Sequence, residues 1–460
     1  MRARAAIGVA ATLLAVACAG PEVATTPVDT VAPPPGWRTQ AGATAALEAQ
    51  WWRRFGDAEL TALVERALVR NDDIGVAVGR IREARAAELQ ARAALLPTLD
   101  AGGGGQRSRS LGALGTPIEQ TASQPQLQSA WEIDLFGRLA DQRAAAHSGW
   151  IASQAARDAT RLSVAASVAS GYVTLLALDA RLGVAQATLA ARADSLRLIR
   201  RRTGAGYSPK LELEQAEADY QAAAKLVPAA REAIVRQENG LRLLTGDPPG
   251  PLTRGGSLDA LQVPLVPDGL PSSLQARRPD VAQAEETLAA ADKTLSAARK
   301  QFLPQVRLSA STGAVFSSLL PDPVTLWSVG GSVLAPLFEG GRLRAGAETA
   351  AARRDQAAWA YHRAVLTAFR EADDAMAGVV SLDEQVRIGV AQRDALAEGY
   401  RLARNRYREG YSPYLDELDA QRGLLAAELA LVQSRADALT ARVTLYRAMG
   451  GGWADGDLTR

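Results

Sequence analysis

The chain contains itself twice. Residues 197–246 align with 401–450 without a gap, at an offset of 204. Arg197-Leu198 matches Arg401-Leu402, and Arg200 and Arg202 match Arg404 and Arg406. Gly206-Tyr207-Ser208-Pro209 matches Gly410-Tyr411-Ser412-Pro413, and Leu211, Ala216, Arg231, Leu241 and Gly246 match Leu415, Ala420, Arg435, Leu445 and Gly450. Earlier segments repeat as well: Arg70-Asn71-Asp72-Asp73-Ile74 resembles Arg277-Arg278-Pro279-Asp280-Val281, Leu96-Pro97 matches Leu303-Pro304, and Leu135-Phe136-Gly137-Arg138-Leu139 resembles Leu337 to Leu343. Self-similarity over so long a period means that one supersecondary plan is used twice. The first repeat is expected at 57–250, a Pro/Gly-rich linker at 251–271 and the second repeat at 272–452, followed by a tail at 453–460.

Within each repeat the longest segment has no proline, from Arg138 to Thr203 and again from Arg342 to Arg408. As a helix rising 1.5 Å per residue, each would reach ~100 Å. A compact ball of this chain length has a radius of gyration near ~23 Å, so an elongated molecule is expected. Leu175, Leu178, Leu182, Ala185, Leu189, Leu196 and Ile199 alternate at spacings of three and four, with Arg192 the one break. Val379, Leu382, Val386, Leu396, Tyr400 and Ala403 hold that phase in the second repeat. After the turn, Leu213, Ala216, Tyr220, Ala223, Val227, Ala230 and Ile234 continue it, as do Leu415, Leu418, Leu425, Leu429, Val432, Leu439, Val443 and Tyr446, with Arg422 the polar exception. A sustained 3.5-residue repeat predicts coiled coils, at about 138–245 and 342–449. Gly-Tyr-Ser-Pro predicts the reversal between paired helices. Pro228 is expected to kink or break its helix.

Before each long helix the pattern changes to period two. Leu127, Trp131, Ile133 and Leu135 alternate with Gln128, Glu132 and Asp134; Val306, Leu308, Ala310, Thr312 and Ala314 alternate with Arg307, Ser309 and Ser311; Trp327, Val329, Val333 and Leu337 alternate with Ser328, Gly330 and Ser332. These predict one hairpin per repeat, at about 98–136 and 305–337, with connecting loops at 111–123 and 317–325. The strands, roughly 10–13 residues each, suit a tilted transmembrane strand. Four strands have two open edges, and an unpaired backbone edge is not tolerated in hydrocarbon. Four are also too few to close, since small barrels begin near about eight strands. If the strands span a membrane, several chains must share one barrel. The alternative is a soluble β-layer packed on helices.

The N-terminus reads as a targeting segment. Arg2 and Arg4 precede an apolar run from Ala5 to Ala17, too short for a mature span and right for a signal peptide over 1–17. It ends at Leu14-Ala15-Val16-Ala17-Cys18, which resembles a bacterial lipobox with Cys18 as the lipidated first residue, although Ala15 stands where Leu is usual. An ordinary signal peptide with an incidental Cys is the alternative. Ala19 rather than Asp favours outer-membrane sorting by resemblance to other lipoproteins. Residues 18–56 are expected to form a lipid-anchored tether, extended through the Pro/Thr/Val-rich stretch from Pro21 to Gly36.

With this layout, the chain resembles the TolC-type outer-membrane efflux factors, in particular the OprM-like lipoprotein branch that serves resistance-nodulation-division pumps. The resemblance runs from about Trp51 to Trp453 and is carried by Gly410 to Arg422, by Leu445 to Trp453, and by Trp131 to Arg138. It implies a mainly α fold with a membrane β-barrel: a homotrimer with twelve strands in one barrel and a twelve-helix periplasmic α-barrel. It implies a place in the outer membrane of a Gram-negative bacterium, contact with outer-membrane lipid, a periplasmic adaptor and an inner-membrane pump, and passive conduction of drugs or other small molecules. Gly206, Tyr207, Ser208, Gly410, Tyr411 and Ser412 match the tips where adaptor hairpins dock. Asp416 and Asp419 match acidic positions that narrow the tunnel mouth, Leu415, Arg422 and Tyr407 match further gate positions, and Glu212 matches an acidic tip position. Ser412 stands where relatives carry Arg, so a gate bond made by that Arg is not assumed. Independently of the resemblance, Asp416 and Asp419 lie i,i+3 on one helix face, and symmetry would repeat them as rings of like charge that favour cations unless a base such as Arg422 compensates. An intrahelical Asp419–Arg422 pair is the plainer alternative.

No catalytic constellation is visible. Charges of 52 Lys+Arg against 50 Asp+Glu leave +2, with no basic footprint for nucleic acid. One Cys excludes a disulfide framework and a multi-Cys metal site, and His147 and His362 lie far apart on predicted helices, so no metal and no cofactor are expected. The Gly102–Gly105 run has no following Gly-Lys-Ser/Thr and is not a phosphate loop. The chain is therefore read as a non-enzyme whose transport energy comes from a partner. A duct for type I protein secretion would share the fold. A periplasmic coiled-coil adaptor lipoprotein is the alternative from another class, but it would need one hairpin flanked by lipoyl-like and barrel domains.

Overall fold

The computed structural model describes residues 23–29, 31–39, 44–45, 47–113, 115–267 and 271–451. Cys18, the signal segment and the tail at 453–460 lie outside the described residues. The elements run α1 (Ala58–Arg70), α2 (Asp72–Ala93), β1 (Thr98–Leu111), β2 (Pro117–Ile133), α3 (Arg138–Gly204), α4 (Lys210–Leu244), α5 (Pro271–Arg277), α6 (Pro279–Lys300), β3 (Gln305–Ser317), β4 (Val324–Leu334), α7 (Arg342–Arg408) and α8 (Tyr414–Ala448). The duplication is literal: α3 and α7 have 67 residues each, and α4 and α8 have 35 each. Strand lengths are 14, 17, 13 and 11 residues. The hairpin loops are accordingly shorter than the expected 111–123 and 317–325, because β2 already begins at Pro117 and extends the ladder to Leu111↔Pro117.

The chain divides into two compact units that do not coincide with the repeats, since each repeat contributes to both. One unit comprises residues 1–30, 80–154 and 283–363 and contains the sheet, in the order β1-β2-β3-β4 with every pairing antiparallel. Among its described residues, no strand residue is buried. Asp134 turns the chain from β2 into α3, accepting hydrogen bonds from the Leu139 and Ala140 amides at 3.1 and 2.8 Å. Such a carboxylate satisfies orphan donors at a helix start. Beside it, Lys300 of α6 donates to Asp141 at 2.5 Å and to the Gly137 carbonyl at 3.2 Å.

The other unit comprises residues 31–79, 155–282 and 364–460. Its core joins Trp51, Phe55, Leu60, Val64, Tyr172, Leu175, Leu176, Leu241, Val443 and Tyr446. Trp51 is fully buried and stacks on Tyr446 at 5.4 Å. The Tyr172 hydroxyl lies between the Asp57 carboxylate, at 3.2 Å, and the Gly255 amide, at 2.9 Å, and burial raises its pKa to about 12. Both repeats close here in the same way. Gly246 and Gly450 adopt positive φ and end α4 and α8, and a Cβ on them would meet the carbonyl oxygens of Arg70 and Arg277 at 2.8 and 2.0 Å. The Asn71 side chain donates to the Leu244 carbonyl, and Arg278, at the matching place, donates to the Ala448 carbonyl. α3 is long and apolar enough by composition to cross a bilayer, but more than half of that stretch is buried within the fold.

Three expectations need correction. The segment at 18–56 is not all tether: Trp51–Phe55 forms a 3₁₀ turn whose aromatic side chains are buried, and earlier stretches are fastened down. In the first unit Arg299 and Arg354 donate to the carbonyls of Val23 and Thr26, and the Thr26 amide donates to Asp355. In the second unit Arg38 pairs with Asp373 at 2.5 Å. The linker at 251–271 is likewise held, with Arg254 paired to Asp179 and Glu238 and Val266–Pro267 laddered in parallel with Thr44–Ala45. Finally, of the expected kink or break at Pro228 the break does not occur: α4 continues as one helix from Lys210 to Leu244. Pro228 lies on the exposed side, where water can take the carbonyl that the missing N–H leaves free. Trp51→Ala should destabilise the protein by about 3–5 kcal/mol, the usual cost of emptying an aromatic site, seen as a lower midpoint in thermal unfolding followed by circular dichroism.

Candidate functional site

Pairing in the sheet assigns each side chain to a face. Leu127 faces Ala101 and Thr312, and Thr312 faces Trp327; Ser129 lies between Leu99 and Ala310, which faces Val329; Trp131 and Ile133 pair with Leu308 and Val306, and Val306 with Val333. Toward the helix end one face is therefore apolar, and much of it is bare: Leu99, Trp327, Val329 and Val333 are each at least two-thirds exposed, while Arg107, Arg109 and Glu119 stand on that face only near the β1–β2 hairpin tip. The opposite face carries Asp100, Gln106, Gln120, Gln124, Gln126, Gln128, Glu132, Arg307, Ser309, Ser311, Ser328 and Ser332. Its charged side chains sit together at the helix end, where Glu132 accepts from Arg138 at 2.6 Å and lies 3.7 Å from Arg307. The outer edges of β1 and β4 pair with no strand among the described residues. Such a sheet presents one surface suited to hydrocarbon, one to water, and two edges that require partners.

The second unit holds both helical reversals, built alike. Gly206 and Gly410 have φ of 80° and 81°. The Tyr207 amide reaches back to the Arg202 carbonyl and the Tyr411 amide to the Arg406 carbonyl, both at 2.8 Å, while the two glycine amides reach Thr203 and Tyr407. This is a Schellman closure, whose left-handed residue favours glycine. Pro209 and Pro413 then stand just before the next helices, in extended conformation. Tyr207 and Tyr411 are left 85% and 78% exposed, and Leu211 and Leu415 are also uncovered.

Behind these tips, Leu196, Ile199, Ala216, Tyr407, Tyr414 and Leu418 make a small core. Burial, with Glu212 nearby, raises the pKa of Tyr407, and the Arg202 guanidinium lies over its ring at 5.0 Å. A buried carboxylate that the heptad reading passed over, Asp219, ties three helices together. Arg192 of α3 donates to its carboxylate at 3.2 Å and to its carbonyl at 2.8 Å, and Arg422 of α8 donates to the same carboxylate oxygen at 2.9 Å. The plainer Asp419–Arg422 pair is not formed: Arg422 reaches across to the first repeat, and Asp416 and Asp419 are exposed without an ion pair among the described residues. The structure thus gathers Tyr407, Glu212 and Arg422 around this inner cluster and leaves Leu415, Asp416 and Asp419 facing outward. Glu417 is also buried and accepts from the Ser195 hydroxyl at 3.1 Å. Asp219→Ala would strand the buried Arg192 guanidinium and should cost about 3 kcal/mol in thermal unfolding. Arg422→Gln, half exposed, should cost about 1 kcal/mol or less. Burial raises the Glu417 pKa, so this carboxyl holds its proton more tightly folded than unfolded. Its ionisation therefore opposes the fold as pH rises from the ordinary carboxylate value through the raised one. Hydrogen-exchange protection around 405–420, taken relative to the intrinsic exchange rate at each pH, should be greater at mildly acidic than at neutral pH, and Glu417→Gln should remove that difference.

Residues 63–247 and 270–451 match the family described as outer membrane efflux protein. The toluene efflux pump outer membrane protein TtgC of Pseudomonas putida is 35% identical over 432 residues, which cover 90% of this chain and 87% of that protein. The solved outer-membrane channel OprN superposes with a TM-score of 0.86 at 29% identity, covering 95% of this chain and 99% of that one. The open state of the MtrE outer membrane channel of Neisseria gonorrhoeae superposes with a TM-score of 0.78 at 30% identity, covering 94% and 99%. Duplicated helical hairpins, a two-faced sheet with open edges and these likenesses agree: the chain belongs to the outer membrane efflux protein family.

Proposed function

We propose that this protein works as the exit duct of a tripartite efflux system, three copies closing their sheets into one outer-membrane barrel and their helices into a periplasmic tunnel. The observation that carries this reading is the sheet, apolar on one face, polar on the other and unpaired at both edges. Adding copies edge to edge satisfies the backbone, puts the apolar face toward lipid and leaves the polar face around a water-filled passage. Energy comes from an inner-membrane pump, and a periplasmic adaptor docks on the tips at Gly206-Tyr207-Ser208 and Gly410-Tyr411-Ser412, where exposed Tyr and Leu side chains suit a protein contact.

In this reading the tips also carry the gate. Tyr407, Leu415, Asp416, Asp419, Arg422 and Glu212 lie at its mouth, and the Asp219–Arg422 bond holds the second repeat's hairpin against the first. Arg422→Gln leaves Asp219 paired with Arg192, so it should loosen the gate and keep the fold. Its resting single-channel conductance in planar bilayers should rise several-fold over wild type, and an unchanged conductance would remove Arg422 from the gate. Subunit counting by native mass spectrometry of detergent-extracted protein should give three, and a folded, detergent-free monomer would defeat the duct reading itself.

A further inference from the structure

A cleft of about 630 Å³ opens in the second unit between the last turns of α3 and α7 and the first turn of α8. Its volume falls in the range of small-ligand sites, which span about 300–1,000 Å³, but its lining is mostly charged. Five arginines contribute: Arg197, Arg200, Arg201, Arg202 and Arg408. Two are already engaged, Arg197 with Asp194 and Arg200 with Glu217. Arg202 is fixed by the carbonyls of Tyr407 and Arg408, at 3.3 and 2.8 Å. Arg201 and Arg408 are exposed and have no carboxylate partner among the described residues. The helix C-termini offer only about half a negative charge each, too little to balance them. Glu417, the remaining carboxyl in the cleft, is buried and bonded to Ser195; Arg408 and Arg202 attract its charge, so it offsets part of theirs and leaves the cleft with a net positive charge at its rim.

We propose that this cleft binds a compact multivalent anion, a polyphosphate or a polycarboxylate, gripped between the guanidinium forks of Arg201 and Arg408 with Arg202 as a rigid flank. Planar forks of this kind take phosphate and carboxylate groups in bidentate fashion. The bound anion joins the end of α3 to the end of α7, one from each repeat, and relieves the repulsion among the arginines. The inference stands on the cleft alone, so its failure would leave the duct reading untouched.

The test is titration calorimetry of the intact detergent-solubilised protein at low ionic strength, with inorganic pyrophosphate and with citrate as separate probes. Saturable binding of either, one per chain, is expected, and the stronger probe tells which of the two anion types the cleft prefers. Arg201→Gln with Arg408→Gln should weaken it about tenfold or more, whereas Arg363→Gln, an exposed arginine of α7 in the other unit, should not. Glu417→Gln should tighten binding severalfold by removing the one cleft carboxylate that no arginine pairs among the described residues, which a diffuse counter-ion layer would not register. No saturable binding, equal loss in the Arg363 control, or an unchanged affinity in Glu417→Gln would overturn the proposal. So would a hexaglutamate peptide that binds and is not displaced by pyrophosphate, since the cleft would then serve an acidic polypeptide.

Discussion

The unpaired backbone along the outer edges of β1 and β4 governs everything else in this protein. Along strands of fourteen and eleven residues, about every second residue presents amide and carbonyl groups outward that a neighbouring strand must satisfy. In water such an edge invites aggregation, and in lipid each unsatisfied group costs several kcal/mol. Because consecutive strands run antiparallel, the first and last run oppositely, so copies can continue the ladder in the same sense. The glycines from Gly102 to Gly105 place almost no side chain at that edge, and the join there rests on the backbone.

Duplication supplies the scaffold, and departures from it supply the particular chemistry. Both repeats end their long helices with the same bonds at Gly206 and Gly410, and both close at Gly246 and Gly450 against a preceding helix. The network on Asp219 has no counterpart: at the offset of 204, Asp219 falls opposite Gly423, and Arg422 opposite Ala218. One repeat provides the buried acid and the other the base, so a bond forms between repeats that two identical halves could not make.

Much of this could be read from the residues. Period-two alternation placed Leu127, Trp131 and Val329 on one face and Gln128 and Ser328 on the other, because a strand’s pleat leaves no freedom in that assignment. Heptad spacing located the helices, and the Gly-Tyr-Ser-Pro repeats located their reversals. Asp219 was missed because a single acid inside a helical stretch looks like solvated surface. Its signal lay elsewhere, in Arg192 and Arg422, the two breaks in otherwise apolar seams, which proved to meet on it. The N-terminal stretch looked like a free tether because its anchors, Asp355, Asp373 and Arg299, are more than 270 residues away in sequence. Pro228 does not end its helix because a ladder interrupted on its wet side loses little.

The polar face of the sheet has a further consequence. Away from Asp100, Glu132 and Arg307 toward the helix end, it is lined by glutamine amides and serine hydroxyls, with Gln124 beside Gly104 and Gln126 between Gly102 and Gly313. Amides and hydroxyls offer donors and acceptors in equal measure and favour neither sign of charge. Along that stretch a wall of this kind sorts by girth, and the sign of a passing solute's charge is met only at Asp100, Glu132 and Arg307.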